Sequence, residues 1–161
     1  MPQKNISIAQ MADILHQTSM LYMASNIPVD YGTGEKYTAV EVHMLKYIID
    51  HPGKTVTALA QDFDRTKAAI SLMLKKMEQK GIIYHQNSPD SMRKQLYFAT
   101  EKGLILHKAH LHYDEKVFGR TLELMKEFCS KEDIQNCFST LQAFLKARRK
   151  KHYRSPGNAD E

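Results

Sequence analysis

Apolar residues recur at every third or fourth position along much of this chain, which is the spacing of one face of an α-helix. The pattern predicts a first helix over residues 7–25 and a second helix that ends at His51-Pro52-Gly53. Thr38-Ala39-Val40-Glu41 is a capping-box sequence and predicts where the second helix starts. Two long helices are expected near the end of the chain, over residues 101–128 and from Ser130 to about residue 150.

The stretch from Thr55 to Gly81 contains two predicted helices separated by a short polar turn. Its sequence is TVTALAQDFDRTKAAISLMLKKMEQKG, and the longer second helix ends at the glycine. Apolar residues at spacings of three and four predict the buried face of that helix; they are Ile70, Met73, Leu74 and Met77. Two helices joined in this way form the unit with which many regulators place a recognition helix in the DNA major groove.

The residues after Gly81 predict a β-hairpin. Residues 82–86 and 95–99 alternate in character, and Asn-Ser-Pro-Asp-Ser between them is typical of a turn. Arg93 and Lys94 lie near the predicted tip, and basic side chains on a projecting ribbon suit the negative potential of the minor groove. The order of elements predicts a mainly α fold with a small β-hairpin wing, a winged helix-turn-helix.

The positive charge of the chain is concentrated in this region. The whole sequence of 161 residues has a formal net charge of +5, and its 42% hydrophobic content is that of a globular domain. Residues 65–95 contain seven Lys or Arg and two acids, so this window alone carries the same excess. A polyanionic partner is therefore expected here. No apolar run approaches the roughly 20 residues that span a bilayer, and we expect a cytoplasmic protein.

The recognition helix has a second face that suits DNA. Lys67, Ser71 and Lys75 follow one another by one turn, while the small Ala68 allows close approach to the groove floor. The start of the helix favours a phosphate, although Thr66 or Asp64 also fits the role of N-cap. Lys76 and Lys80 are expected to touch phosphate or solvent. The predicted DNA-binding residues are Arg65, Thr66, Lys67, Ala68, Ser71, Lys75, Lys76, Arg93 and Lys94.

The chain resembles the MarR family of bacterial winged helix-turn-helix regulators over nearly its whole length. The matching stretches are TVTALAQDFDRTKAAISLMLKKMEQKGII and RKQLYFATEKG. The family's wing usually has Asp-x-Arg; Arg93 matches the arginine, but Ser91 stands at the acidic position and Asp90 lies one residue early. The resemblance implies a homodimer on a pseudo-palindromic operator, acting as a repressor that a ligand, metal or oxidant relieves.

The terminal helices offer more apolar surface than a small DNA-binding module can cover. We therefore expect one domain over residues 1–161, in which residues 7–25 and 101–150 are dimerisation helices and residues 38–100 form the winged module. Packing of these helices within one monomer is the alternative. The last residues, 155–161, have the composition of a disordered tail, and the role of the basic stretch 147–154 is left open.

Candidate effector sites are less well defined. Aromatic and methionine side chains of the first two helices suit a small lipophilic or phenolic ligand, but they equally fit an ordinary core; they are Tyr22, Met23, Tyr37, His43, Met44 and Tyr47. His107 and His110 share a helix face, and we expect exposed or locally bonded histidines rather than a metal site. Cys137 is expected in the core, and no basic residue in the sequence is clearly placed to activate Cys129 as a redox sensor.

No catalytic constellation and no phosphate-binding glycine loop is present in the sequence, so we expect neither an enzyme nor a cofactor. Two alternatives to a ligand-responsive repressor stay open. One is a winged-helix module for protein–protein assembly, and the other is a metal-sensing variant of the same family.

Overall fold

The computed structural model describes residues 6–24 and 27–152. In these residues the predicted helices and the hairpin are present, together with a small additional sheet. In chain order the elements are α1 Ile8–Ala24, β1 Val29–Asp30, β2 Lys36–Tyr37, α2 Ala39–Asp50, α3 Val56–Asp62, α4 Lys67–Gln79, β3 Ile83–Ser88, β4 Ser91–Ala99, α5 Glu101–Met125 and α6 Lys131–His152. The predicted tail at residues 155–161 lies outside the described residues.

Three threonines start the helices of the central module. Thr38 caps α2 in a complete capping box with Glu41, as the sequence predicted. Thr55 caps α3, and Thr66 caps α4 by accepting the backbone N–H of Ala69. Of the two candidates for the α4 cap, Thr66 is therefore the cap, whereas Asp64 lies in the turn with a positive φ of 51°.

The core lies between α2, α3, α4, the base of the hairpin and the start of α5. Side chains from each of these elements are completely or almost completely buried; they include Leu45, Ile48, Leu59, Ile70, Leu74, Met77, Ile82 and Leu106. The apolar spacing of the sequence thus predicted the buried face of α4. Burial of this face fixes which side of the helix points away from the protein.

The start of α5 is held against the chain that leaves α4. Thr100 donates its backbone N–H to the carbonyl of Ile82 and its hydroxyl to the carbonyl of Gly81, at 3.1 and 2.7 Å. A Cβ on Gly103 would lie 2.1 Å from the same Ile82 carbonyl oxygen. Only glycine permits so close an approach between helix and backbone.

The segment before α2, for which the sequence pattern predicts no helix or strand, forms a short antiparallel pair. Val29 pairs with Tyr37 and Asp30 with Lys36. The Asp30 carboxylate accepts the backbone N–H groups of residues 32, 33 and 34, and these hydrogen bonds hold the pKa of Asp30 below its usual value. A strand pair of two residues is too short to give a periodic signal in the sequence.

The hairpin differs from its predicted form. The strands extend to Ser88 and from Ser91, so the turn is Pro89-Asp90 rather than five residues. Asn87 pairs with Gln95 and Ser88 pairs with Ser91, which leaves residues 92–94 without a partner on β3. This β-bulge lets a strand of nine residues pair with one of six.

The chain divides into two compact units between Tyr113 and Asp114, within α5. The second unit contains the end of α5 and α6. In it, the rings of Phe118 and Phe138 meet edge to face, and Ile134 is buried. Helix α5 ends at Met125, three residues before the predicted end, and a turn follows.

Candidate nucleic-acid interface

Helix α4 presents two opposite faces. Ile70, Leu74 and Met77 are fully buried. At about 100° per residue, the positions directly opposite this stripe are Ala68, Leu72, Lys75 and Gln79, all of them exposed. This outward face is the part of the helix that can enter a groove.

The predicted contact residues of α4 and the preceding turn are all on the surface. They are Arg65, Thr66, Lys67, Ala68, Ser71, Lys75 and Lys76. Thr57 and Gln61 of α3 line an open recess of about 470 Å³ together with residues 64–67. The structure thus brings the basic start of α4 together with polar side chains of α3.

The DNA-contact residues predicted from the sequence do not include Leu72. Its side chain is 58% exposed, and it lies at the centre of the outward face. The signal was present in the sequence, since this leucine falls outside the spacing of the buried stripe. An apolar side chain in this position can contact a thymine methyl group in the major groove.

Lys80, which is expected to touch phosphate or solvent, is only partly exposed and also pairs with groups of the protein itself. Its ammonium group bonds the Glu41 carboxylate at 2.7 Å and the Lys36 carbonyl at 3.2 Å, and lies 4.8 Å from the centre of the Tyr37 ring. Burial raises the pKa of Glu41, but the hydrogen bonds from Lys80 and Thr38 outweigh it, so the net pKa is lowered. Lys80 therefore ties the end of α4 to the start of α2.

The second link in this region is Lys102 of α5. It bonds the Glu35 carboxylate at 2.7 Å and the Lys80 carbonyl at 2.8 Å. Glu35 also accepts the Tyr37 hydroxyl, and the bonds from Lys102 and Tyr37 hold its pKa below the usual value. The end of the recognition helix is thus connected through side chains to both neighbouring helices.

The wing carries its basic residues on the bulge. Arg93 and Lys94 are exposed there, next to Met92, whose side chain is 81% exposed. Among the described residues, Arg93 has no ion pair, and Asp90 is held only through its backbone N–H to Ser88. Asp90, the acidic residue nearest to the aspartate position of the family's wing, is therefore not paired with Arg93 in these residues.

The residues of the predicted ligand pocket lie in different environments. Tyr37 and Met44 are fully buried in the core, and Tyr47 packs against that core and donates its hydroxyl to Asp62. His43 and Tyr22 are exposed, while the side chain of Met23 is outside the described part. The described side chains of this set therefore lie partly in the core and partly on the surface, and the pocket stays a prediction.

Of the histidines and cysteines, Cys137 differs from expectation. His110 is buried, and its ring meets those of His43 and Tyr31 at 5.2 and 5.1 Å. Cys137, expected in the core, is exposed in the single chain, and Cys129 is half-buried. Within the described ranges, no three His, Cys, Asp or Glu residues are grouped as a metal site requires. Across the same ranges, every helix is too short or too polar to cross a membrane.

A helix-turn-helix followed by a basic hairpin defines a winged helix-turn-helix protein. The sequence pattern of the MarR family matches residues 37–94, which cover the module from β2 to the wing. Over this module the chain is similar to the MarR family.

Other proteins are also similar to the chain in sequence or in structure. The chain is 28% identical to the uncharacterized HTH-type transcriptional regulator YhjH of Bacillus subtilis strain 168 over 107 residues, which are 66% of this chain and 61% of YhjH. It is similar to Streptococcus pneumoniae FabT in complex with DNA, with a TM-score of 0.63, 18% identity, and coverage of 88% of this chain and 99% of FabT. It is also similar to the zinc-responsive ZitR of Lactococcus lactis, with a TM-score of 0.58, 21% identity, and coverage of 88% and 99%. At these identities the two structures bear on the fold alone.

Proposed function

We propose that the protein is a homodimeric, sequence-specific DNA-binding regulator that represses transcription from a pseudo-palindromic operator. The observation that carries the proposal is the exposed face of α4, on which small, apolar and basic side chains are combined, with a basic bulge on the wing beside it. Small residues allow close approach, and the longer side chains reach base edges. The solved complex of FabT with DNA supports this role for the fold.

In the proposed complex α4 lies in the major groove. Lys75 and Ser71 are placed to reach base edges, and Leu72 to contact a thymine methyl group. Arg65 and Thr66 at the start of the helix face the phosphate backbone, where free N–H groups add to their attraction. Arg93 and Lys94 enter the flanking minor groove from the bulge.

A second copy of the chain is proposed to cover the terminal helices. In α1, Met11 and Ile14 are each 52% exposed, although they belong to the apolar stripe. In α6, Phe144 and Leu145 are also exposed. Apolar surface of this extent on long helices usually marks an interface. Two copies would present two recognition helices to half-sites about one DNA turn apart.

The dimer is tested by sedimentation equilibrium of the wild type and of Phe144→Asp. We expect a dimer for the wild type and dissociation of the variant, because a charge would be buried in the interface. Gln142→Asp adds the same charge at an exposed polar position of α6 and serves as the control. A monomeric wild type at micromolar concentration would contradict the proposal.

A small lipophilic or phenolic ligand is proposed to release the operator. Support comes from the aromatic and histidine side chains that α2, α5 and the β1–β2 segment place near one another, namely His43, His110 and Tyr31. The contact between two histidines also favours the metal-sensing variant as the second candidate, since ZitR is zinc-responsive. The described residues supply no third ligand.

The central experiment is selection of bound sequences from random double-stranded DNA by the full chain. We expect a pseudo-palindromic consensus, and the selection is repeated with phenolic compounds and with zinc to identify the effector class. Arg93→Ala should weaken binding to all sequences, whereas Ser71→Ala should change the preferred bases. Absence of any enriched sequence, together with capture of a protein partner, would favour the protein–protein module.

A further inference from the structure

Four polar side chains form a continuous series of hydrogen bonds from the end of α4 across the hairpin. The Nδ1 atom of His85 on β3 lies 2.5 Å from a carboxylate oxygen of Glu78 on α4. The Nε2 atom of His85 lies 3.1 Å from the amide nitrogen of Gln95 on β4, and the Tyr97 hydroxyl lies 3.1 Å from the Gln95 amide oxygen. We refer to Glu78, His85, Gln95 and Tyr97 as the wing brace.

The chemistry of these groups assigns a direction to every bond. The amide nitrogen of Gln95 can only donate, so His85 Nε2 is the acceptor and carries no hydrogen. The imidazole hydrogen is therefore on Nδ1, from which it is donated to Glu78. Tyr97 donates its hydroxyl to the remaining amide oxygen. Each group in the brace has one defined role, and a neutral His85 satisfies them all.

The sheet register places the brace on one face of the hairpin. His85 and Tyr97 are directly paired across the strands, and Gln95 lies two residues from Tyr97 on the same side of β4. Tyr97 is buried, and its pKa is raised by burial and by the negative charge of Glu78. The brace therefore runs from the surface of α4 to the buried base of the wing.

The position of Gln95 connects the brace to the basic residues of the wing. Gln95 is the first residue of β4 that pairs again after the bulge of residues 92–94. In the described part of the chain, the bond between Glu78 and His85 is the only side-chain hydrogen bond from α4 to the hairpin. Arg93 itself has no ion pair there, so the direction of the bulge depends on what holds its base.

We propose that the wing brace fixes the angle between the recognition helix and the bulge, and that His85 is thereby a positioning residue for Arg93. This inference rests on the proposed function, since it concerns how helix and wing contact DNA together. Helix and wing reach two different grooves, so a fixed angle between them lowers the entropy lost when both bind. Loss of the brace should therefore weaken binding through Arg93 and leave the helix contacts intact.

The test is a double-mutant cycle on the operator obtained by selection, with affinity measured by fluorescence anisotropy. His85→Ala should weaken binding by about fivefold, the effect of about one hydrogen bond, in the wild-type background. In the Arg93→Ala background the same change should have an effect of less than about twofold. Gln86→Ala, at an exposed neighbouring position of β3, is the matched control and should leave the affinity unchanged.

Two further measurements separate positioning from loss of folding. Glu78→Gln keeps an oxygen that accepts the Nδ1 hydrogen and should retain near wild-type affinity, whereas Glu78→Ala should behave like His85→Ala. Nitrogen chemical shifts of His85 in the free protein should show the hydrogen on Nδ1 at neutral pH. A hydrogen on Nε2, or equal effects of His85→Ala with and without Arg93, would overturn the brace. If the wild type selects no DNA sequence, the proposed function itself fails, while the histidine spectrum still tests the bonds.

Discussion

Replacement of Gly103 by alanine should destabilise the protein strongly, although alanine is the better helix former. The added Cβ would lie 2.1 Å from the Ile82 carbonyl oxygen, a group of the backbone rather than a flexible side chain. Cβ atoms essentially never come closer than 3.0 Å to such an atom, so α5 and the chain after α4 must separate by about 1 Å. The Ile82 carbonyl also accepts the N–H of Thr100, and that hydrogen bond would be stretched or lost.

The expected magnitude follows from three contributions. Overpacking of a close contact costs about 2–3 kcal/mol when backbone must move, and the hydrogen bond adds about 1 kcal/mol. The higher helix propensity of alanine returns up to about 1 kcal/mol. The net loss is about 2–3 kcal/mol, which lowers the melting temperature of a chain of this size by roughly 6–10 °C.

Thermal unfolding followed by circular dichroism at one fixed protein concentration measures this loss. Gly119→Ala is the matched control, because it lies on the same helix and no atom is within 4 Å of its added Cβ. The control variant should melt at or above the wild-type temperature, because alanine has a higher helix propensity than glycine. A Gly103→Ala protein that melts at or above the wild-type temperature would refute the close contact between α5 and Ile82.

Three more outcomes are expected. Lys80→Met should lower the free energy of unfolding, measured by urea titration, by about 2 kcal/mol, because it leaves the largely buried Glu41 carboxylate without its cation. The control Lys76→Met, at an exposed site, should change this free energy by less than about 0.5 kcal/mol. Because the pKa of Glu41 is lowered in the folded protein, its ionised form stabilises the fold above the unfolded-state pKa of about 4.3. This stabilisation should be lost as the pH falls through the folded-state pKa. The melting temperature of Glu41→Gln, measured against pH, should not show this loss. Replacing the contacted thymine by deoxyuridine, which lacks the methyl group, should weaken wild-type binding about fourfold but leave binding by Leu72→Ala unchanged; equal losses for both proteins would exclude the methyl contact.

Local signals in the sequence predicted the features that depend on neighbouring residues. The capping box of Thr38 and Glu41 and the apolar spacing of α4 involve residues no more than four apart, and both are confirmed. The order of helix, turn, helix and hairpin then predicted the winged fold. These features were predictable because each is determined within one turn of helix or one pair of strands.

Contacts between distant residues were not predictable in the same way. Lys80 and Glu41 are 39 positions apart, and nothing in the sequence near Lys80 distinguishes it from the exposed Lys76. The same holds for His85, whose partner Glu78 lies seven residues away beyond the end of a helix. Their roles depend on how the elements pack, and charge counting alone does not distinguish the paired Lys80 from the exposed Lys76.

Because Lys80 is ion-paired, fewer cationic side chains of the module are available to replace the counterions that surround DNA. Each basic side chain that reaches a phosphate releases condensed counterions, and the logarithm of the binding constant falls with the logarithm of salt concentration by about 0.9 for each phosphate neutralised. Seven Lys and Arg lie in residues 65–95, but Lys80 is already neutralised by Glu41, which leaves six in each chain. In the proposed dimer this window can therefore contribute a slope no steeper than about −11. Each chain thus has one fewer cation for the attraction common to all DNA sequences, and that cation instead holds the recognition helix in place.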